Sequence, residues 1–282
     1  MLRALLSLTR HRGWGIAERA RPWLIPEGPV EAQVEGSRML LDLRDAYGWR
    51  LYKWGMAYAE EYRTFCSLIG PGDTVLDVGA NIGVFTLGAA RRAGPTGRVI
   101  AFDPVPRNVR YLVANAALNG YCNVHVEPIA VGGHDGELEM TVLGTDSVSV
   151  SAAAQGPEGL ANTRVRCCRL DSYVRSRGIE RVALVKIDVE GAEALVLEGM
   201  KDLLASRGRP AVLVEVHPDL LETQGLRPRH VLRMLGDAGY RVYQFDHGRA
   251  VPLADAAAFP VPYDPAKRPL NCFRVLARPG GP

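Results

Sequence analysis

Apolar positions along this chain switch between two periods, and the switches lay out most of its predicted elements. Thr74-Val75-Leu76, behind the turn signal Pro71-Gly72-Asp73, reads as a short buried strand. Val84, Phe85, Leu87, Gly88 and Ala89 then form the apolar face of a helix that runs to about Arg92. Arg98 to Phe102 predicts a second strand and Asn108 to Leu118 a second helix, closed by Asn119-Gly120 as a C-cap. A third strand is expected over Val124 to Val131. Glu137 to Val142 and Thr163 to Leu170 alternate polar and apolar, as an inserted antiparallel hairpin would. Between them, Ser147 to Gly159 is rich in Ser, Ala and Gly and reads as a mobile loop near a site.

The second half repeats the alternation. Val182 to Ile187 is a near-continuous apolar run suited to a central parallel strand, followed by a helix from Ala192 to about Ala205. Ala211 to His217 is the next buried strand, Leu226 to Ala238 a helix ended by Gly239, and Tyr240 to Phe245 and Asn271 to Leu276 the last two strands. Upstream, Met39 to Arg44 predicts a strand. Tyr47 to Leu68 predicts one helix, with Leu51, Trp54, Tyr58, Tyr62, Phe65 and Leu68 at spacings of three and four. Residues 1 to about 36 read as a short amphipathic helix and an irregular arm with Pro22, Pro26 and Pro29. Strands alternating with helices predict one doubly wound α/β domain over residues 46–282, preceded by an N-terminal arm and helix over 1–45.

Composition narrows the class. Hydrophobic residues make up 47% of the 282, ample for a core, and the formal charge of +3 comes without a Lys/Arg block, so no nucleic-acid partner is expected. Five cysteines with no C-x-x-C pair fit reduced thiols in a cytoplasmic protein rather than structural zinc. No apolar run is long enough to span a bilayer, and Met1 to Leu8 is too short, with no small-residue cleavage site behind it, to read as a signal peptide. Stable membrane insertion is therefore not expected; homo-oligomerisation is compatible with everything above.

The stretch that carries chemistry is Asp77-Val78-Gly79-Ala80-Asn81-Ile82-Gly83, a Gly-rich turn between strand and helix. It lacks the three glycines of a dinucleotide turn, and a carboxylate at Asp77 would repel a pyrophosphate. An acid there suits a ligand with a cationic end, such as the amino group of S-adenosylmethionine. Asp103 ends the next strand, where an acid accepts hydrogen bonds from ribose hydroxyls. Helix capping is the ordinary alternative for both acids.

Asp188, Glu190, Glu215 and His217 also fall at the carboxyl ends of predicted strands, each pair at a spacing of two that sends both side chains the same way. Buried strands seldom end in acids without a role, because an unpaired buried carboxylate is costly. The set can act as general base plus orienting partner, or hold a divalent cation such as magnesium. Plainer readings are a turn residue for His217, a helix-dipole charge for Glu190 and an ion pair to Lys or Arg for Glu215. Asp188 ends the most apolar strand and is the first candidate base, with His217 second.

Taken together these residues resemble the FkbM-type S-adenosylmethionine-dependent methyltransferases. The resemblance rests on Pro71 to Gly83, Ala101-Phe102-Asp103-Pro104, Asn115 to Asn119 with Ala130-Val131-Gly132, Val185 to Glu193, and Val214-Glu215-Val216-His217-Pro218. It implies a Rossmann-like sheet of seven strands with the last antiparallel, and O-methylation of a small-molecule hydroxyl on a natural product or sugar. It also implies that Asp77, Gly79, Ala80, Asn81 and Gly83 hold the methionine end of the cofactor. Asp103 with Pro104 would hold the ribose, and Glu127, Ile129 and Ala130 would lie beside the adenine. Asp103 departs from the glutamate common in the family. A nucleic-acid or protein methyltransferase and a non-catalytic cofactor-binding protein are the alternatives.

Overall fold

Strand order explains why the acids of this chain gather at one edge of the sheet. The computed structural model describes residues 25–56, 58–142, 148–149, 162–246, 249–253 and 272–280. The elements are β1 (Val30–Val34), β2 (Ser37–Leu41), α1 (Ala46–Trp54), α2 (Ala59–Ser67), β3 (Thr74–Val78), α3 (Val84–Ala93), β4 (Arg98–Phe102), α4 (Pro106–Leu118), β5 (Val124–Glu127), β6 (Ala130–Val131), β7 (Gly136–Val142) and β8 (Val148–Ser149). They continue as β9 (Asn162–Cys168), α5 (Leu170–Ser176), β10 (Leu184–Ile187), α6 (Glu193–Glu198), α7 (Lys201–Ala205), β11 (Ala211–Val216), α8 (Pro218–Glu222), α9 (Pro228–Asp237), β12 (Tyr240–Asp246), β13 (Arg249–Pro252) and β14 (Phe273–Pro279).

The main sheet runs β13-β12-β14-β11-β10-β3-β4-β5. Strands β5, β4, β3, β10 and β11 are parallel neighbours, and β14 lies antiparallel between β11 and β12. That is the expected seven-stranded Rossmann-like order, with the last strand reversed. One short edge strand, β13, is added through a hairpin with β12. The chain lays β4 and β5 to one side of β3 and returns with β10 on the other. The carboxyl ends of β3 and β10 therefore face a topological switch point, where such sheets receive ligands. Val75, Leu76, Val99, Ile100, Leu184, Val185, Val212 and Val214 are withdrawn almost wholly from water. Each contributes about 1.5–3 kcal/mol relative to exposure.

Several elements differ from the sequence expectation. The Tyr47–Leu68 stretch is two helices, because Gly55 at φ 71° ends α1 and α2 starts afresh at Ala59. The strand expected over 124–131 splits at Pro128: β5 belongs to the main sheet, β6 to a four-stranded sheet of order β6-β9-β7-β8. The anticipated hairpin is the β7–β9 pair in that second sheet. Leu170 opens helix α5 instead of ending β9, and the 192–205 helix divides at Gly199-Met200. Gly199 cannot carry a side chain, since a Cβ would stand 2.1 Å from the Gly132 carbonyl oxygen. The strand near Met39 is one arm of a hairpin, β1–β2, turned by Glu35 and Gly36, both at positive φ. Packing divides the chain after residue 57: β1, β2 and α1 form one unit, and everything from Tyr58 onward the other. Residues 1–24 and most of the 147–159 stretch lie outside the described residues. Among those described, no helix is long and apolar enough to cross a membrane.

Gly79 is the tightest point of the fold. It sits at φ 74°, and a Cβ there would meet the Asp188 carbonyl oxygen at 1.8 Å. The β3 turn and the end of β10 thus touch backbone to backbone. Gly79→Ala is expected to lower stability by roughly 3 kcal/mol in a denaturant melt. Gly236→Ala, on α9 with open space around its Cβ, should gain about 0.5 kcal/mol.

Candidate functional site

Register places the charges. In the parallel β10–β3 ladder Lys186 stands opposite Asp77. The Lys186 ammonium donates to the Gly79 carbonyl at 2.9 Å, and lies 3.4 Å from Asp77 Oδ1 and 3.3 Å from Asp188 Oδ2. It is 4% exposed and sits over the Phe85 ring at 5.3 Å. Burial alone would lower its pKa, but Asp188, Asp77 and Glu215 raise it above the usual lysine value. Asp77 is fully buried; its Oδ2 accepts from Thr86 Oγ1 at 2.5 Å, while Oδ1 has no hydrogen bond.

The Gly-rich turn and the end of β4 are tied together by Asp103. Its Oδ2 accepts from the Asn81 backbone N–H at 2.8 Å and its Oδ1 from that of Val105 at 2.9 Å, with the Asn108 amide 3.3 Å from both. Burial pushes the carboxyl up to about 6 despite these hydrogen bonds. Ala80 donates its N–H to the Phe102 carbonyl and packs beside Ala101 and Leu112. A Cβ on Gly83, at φ 100°, would stand 2.4 Å from Leu112 Cδ1, so this glycine serves the packing of α4. Buried Asn115, also on α4, clamps the turn by donating to the Ile82 carbonyl at 2.9 Å.

Beyond the turn, Pro104 is half-buried. Glu127, at the end of β5, accepts from the Tyr173 hydroxyl at 2.7 Å and from Arg177 at 3.0 Å. Tyr173 in turn packs edge-on against Phe102, with ring centroids 4.9 Å apart. Ile129 and Ala130 are buried at the start of the second sheet. Their side chains belong to packing, which leaves only their backbone to meet a ligand.

Asp188, Glu190, Glu215 and His217 do come together, with three partners that sequence reading passed over. The first is Glu193, fully buried on α6, whose Oε1 accepts from His217 Nδ1 at 2.7 Å and from the Gly191 N–H at 3.0 Å. The second is Arg274 on β14, which stands opposite Glu215 in the antiparallel ladder, hydrogen-bonds its Oε2, and stacks 3.5 Å from the Tyr58 ring. The third is Lys186. A lysine inside an otherwise apolar strand was the available signal for it; Arg274 gave none, because its partner lies 59 residues away.

These neighbours divide the acids by their protonation. Burial would raise the Asp188 carboxyl, but Lys186, His217 and Arg274 hold it below the usual carboxylate range. Glu190 is pushed the other way, to about 7, chiefly by burial and further by Asp188, Glu215 and Glu193 against the pull of His217. Burial would lower His217, yet Glu193, Asp188 and Glu215 lift it to about 9. A value in that range favours the imidazolium at neutral pH for the residue that the sequence offers as second candidate base after Asp188. Glu190 and Asn81 hold left-handed backbone, at φ 51° each; apart from the hairpin residue Glu35 they are the non-glycine residues with positive φ among the described residues. Such strain gathers at functional sites.

Glu215, His217 and Cys272 bring one ligand atom each within 4.8 Å of one another, the grouping of metal-ligand spacing among the described residues. It does not match magnesium, which takes an oxygen shell, and Glu215 already pairs with Arg274.

The family model described as Methyltransferase FkbM domain matches residues 77–242, which contain the carboxyl ends of β3, β4, β5, β10 and β11. The chain is similar to 31-O-demethyl-FK506 methyltransferase FkbM of Streptomyces tacrolimicus, 30% identical over 222 residues that cover 68% of this chain and 80% of that one. It is similar to the hexuronic acid methyltransferase AglP of Haloferax volcanii, 27% identical over 166 residues, 59% of this chain and 62% of that one. It is also 35% identical over 187 residues to the AMB antimetabolite synthetase AmbE of Pseudomonas aeruginosa, covering 53% of this chain and only 9% of that much longer protein. The chain belongs to the FkbM family of S-adenosylmethionine-dependent methyltransferases.

Proposed function

We propose that this methyltransferase acts on oxygen, transferring a methyl group to a hydroxyl of a small molecule, a natural product or a sugar. The observation that carries the reading is Glu190, a carboxyl held near 7 beside an Asp188 that stays ionised. Two carboxylates driven apart in pKa supply a proton acceptor and a fixed charge at neutral pH, which is what an alcohol acceptor needs. Two relatives agree in substrate class, being named for methylation of 31-O-demethyl-FK506 and of a hexuronic acid.

S-Adenosylmethionine, when bound, supplies an electrophilic methyl group on a sulfonium centre. The residues fit such a ligand. Asp77 Oδ1 and Glu193 Oε2 are buried carboxylate oxygens without hydrogen bonds, and the acids at the strand ends outnumber the cations, as a cationic ligand requires. Asp77, Gly79, Ala80, Asn81 and Gly83 would hold the methionine end. Asp103 and Pro104 would meet the ribose, and Glu127 with the backbone of Ile129 and Ala130 the adenine. Glu190 takes the proton of the acceptor hydroxyl on a carboxylate oxygen, Asp188 orients the hydroxyl, and His217, fixed by Glu193, helps to hold Asp188 ionised. A divalent cation is not required when Glu190 supplies the base.

The cofactor assignment is tested by calorimetry with S-adenosylhomocysteine and NAD. Wild type should bind the former and not the latter, and Asp103→Ala should weaken binding at least about tenfold. The base is tested by kinetics on an identified acceptor. Wild-type kcat/KM should rise with pH through about 7 as Glu190 loses its proton. Glu190→Gln should lose about 10²–10⁴ in rate together with that limb, while cofactor affinity stays within about threefold. If Glu190→Gln stays active and Asp188→Asn does not, the base is Asp188.

A further inference from the structure

Acidic groups outnumber cations at the strand ends. Asp77, Asp188, Glu190, Glu193 and Glu215 face Lys186, His217 and Arg274. His217 has Glu193 as its close partner and Arg274 has Glu215. Lys186 is shared. It lies at almost equal distances, 3.4 Å and 3.3 Å, from a carboxylate on β3 and another just past β10, and its hydrogen bond goes to the backbone of the Gly-rich turn. Both acids lie on the side of the switch point where the Gly-rich turn begins. One buried ammonium thus stands between two carboxylates, with His217 and Arg274 also acting on Asp188. Around side chains as buried as Lys186 and Asp77, charge acts at lower dielectric than in solution.

The methyl donor and its product differ by the transferred methyl group and by one charge at sulfur: the donor is a sulfonium cation, the product a neutral thioether. Shape barely separates them, so local charge must. We propose that Lys186 is a specificity-determining residue of the cofactor site, its buried charge setting how far Asp77 and Asp188 favour S-adenosylmethionine over S-adenosylhomocysteine. The inference rests on the reading that these strand ends hold the cofactor's methionine end. Removing the ammonium leaves more negative charge and favours the cation. Removing the Asp77 carboxylate leaves less and favours the product. Removing both restores the sum.

Titration calorimetry of both ligands at about pH 8, above the range in which Glu190 loses its proton, reads this directly in wild type, Lys186→Met, Asp77→Asn and the double variant. The ratio of the dissociation constant for S-adenosylhomocysteine to that for S-adenosylmethionine should rise about fivefold or more in Lys186→Met. It should fall by a similar factor in Asp77→Asn and return to within about twofold of wild type in the double variant. A lysine that only packs would alter both affinities together and leave the ratio alone. If Lys186→Met does not fold, Lys186→Gln, which also lacks the charge but keeps a polar head, reads the same ratio, and an unchanged ratio in whichever folds overturns the proposal. A ratio unchanged in folded Asp77→Asn overturns the proposal. Failure of wild type to bind either ligand overturns the cofactor assignment, and this inference with it.

Discussion

One buried ammonium holds the working end of this sheet together. Lys186 is almost wholly out of water, and removing a charge of that kind from solvent costs several kcal/mol unless opposite charge and hydrogen bonds replace the water. Asp77 and Asp188 supply the charge and the Gly79 carbonyl the hydrogen bond. The dependence is mutual. Asp77 is fully buried with one oxygen free of hydrogen bonds, and the ammonium stands 3.4 Å from that oxygen. Three separate segments, the β3 end, the Gly-rich turn and the β10 end, are therefore fixed by a single side chain.

The division of labour among the acids follows from that arrangement. Asp188 touches the lysine and stays ionised. Glu190, two residues on in left-handed backbone, is raised to about 7 chiefly by burial and further by neighbouring carboxylates. Farther along the same edge, His217 and Arg274 each neutralise a neighbouring glutamate, so neither is free to act as a base. The chemistry of the site is thus a matter of where each acid sits relative to three cations, and strand register decides that.

Much of the framework was legible in the chain. Asp77, Asp103 and Asp188 end apolar runs, and Gly79 and Gly83 interrupt a pattern that otherwise passes from strand to helix; these are local signals. The breaks at Gly55, Pro128 and Gly199 were also local, but a single glycine or proline inside a longer periodic pattern is easily outvoted by its neighbours. What could not be read was pairing at a distance. Arg274 meets Glu215 only because β14 inserts antiparallel beside β11, and Asn115 reaches the Ile82 carbonyl only once α4 has packed on the turn. The protonation of His217 and Glu190 depends on those same long-range neighbours. Residue identity alone carries the ordinary values of the two side chains, and the fold moves both upward.

The most direct measurement of the central claim follows a labelled methyl group from S-adenosylmethionine into candidate acceptors, with the modified atom located by mass spectrometry. Polyhydroxylated small molecules, transfer RNA and peptides would be offered side by side to the wild-type protein. The account predicts label on an oxygen of a small molecule, as an ether stable to mild base. Label on RNA or peptide, or on nitrogen or carbon of a small molecule, would contradict it.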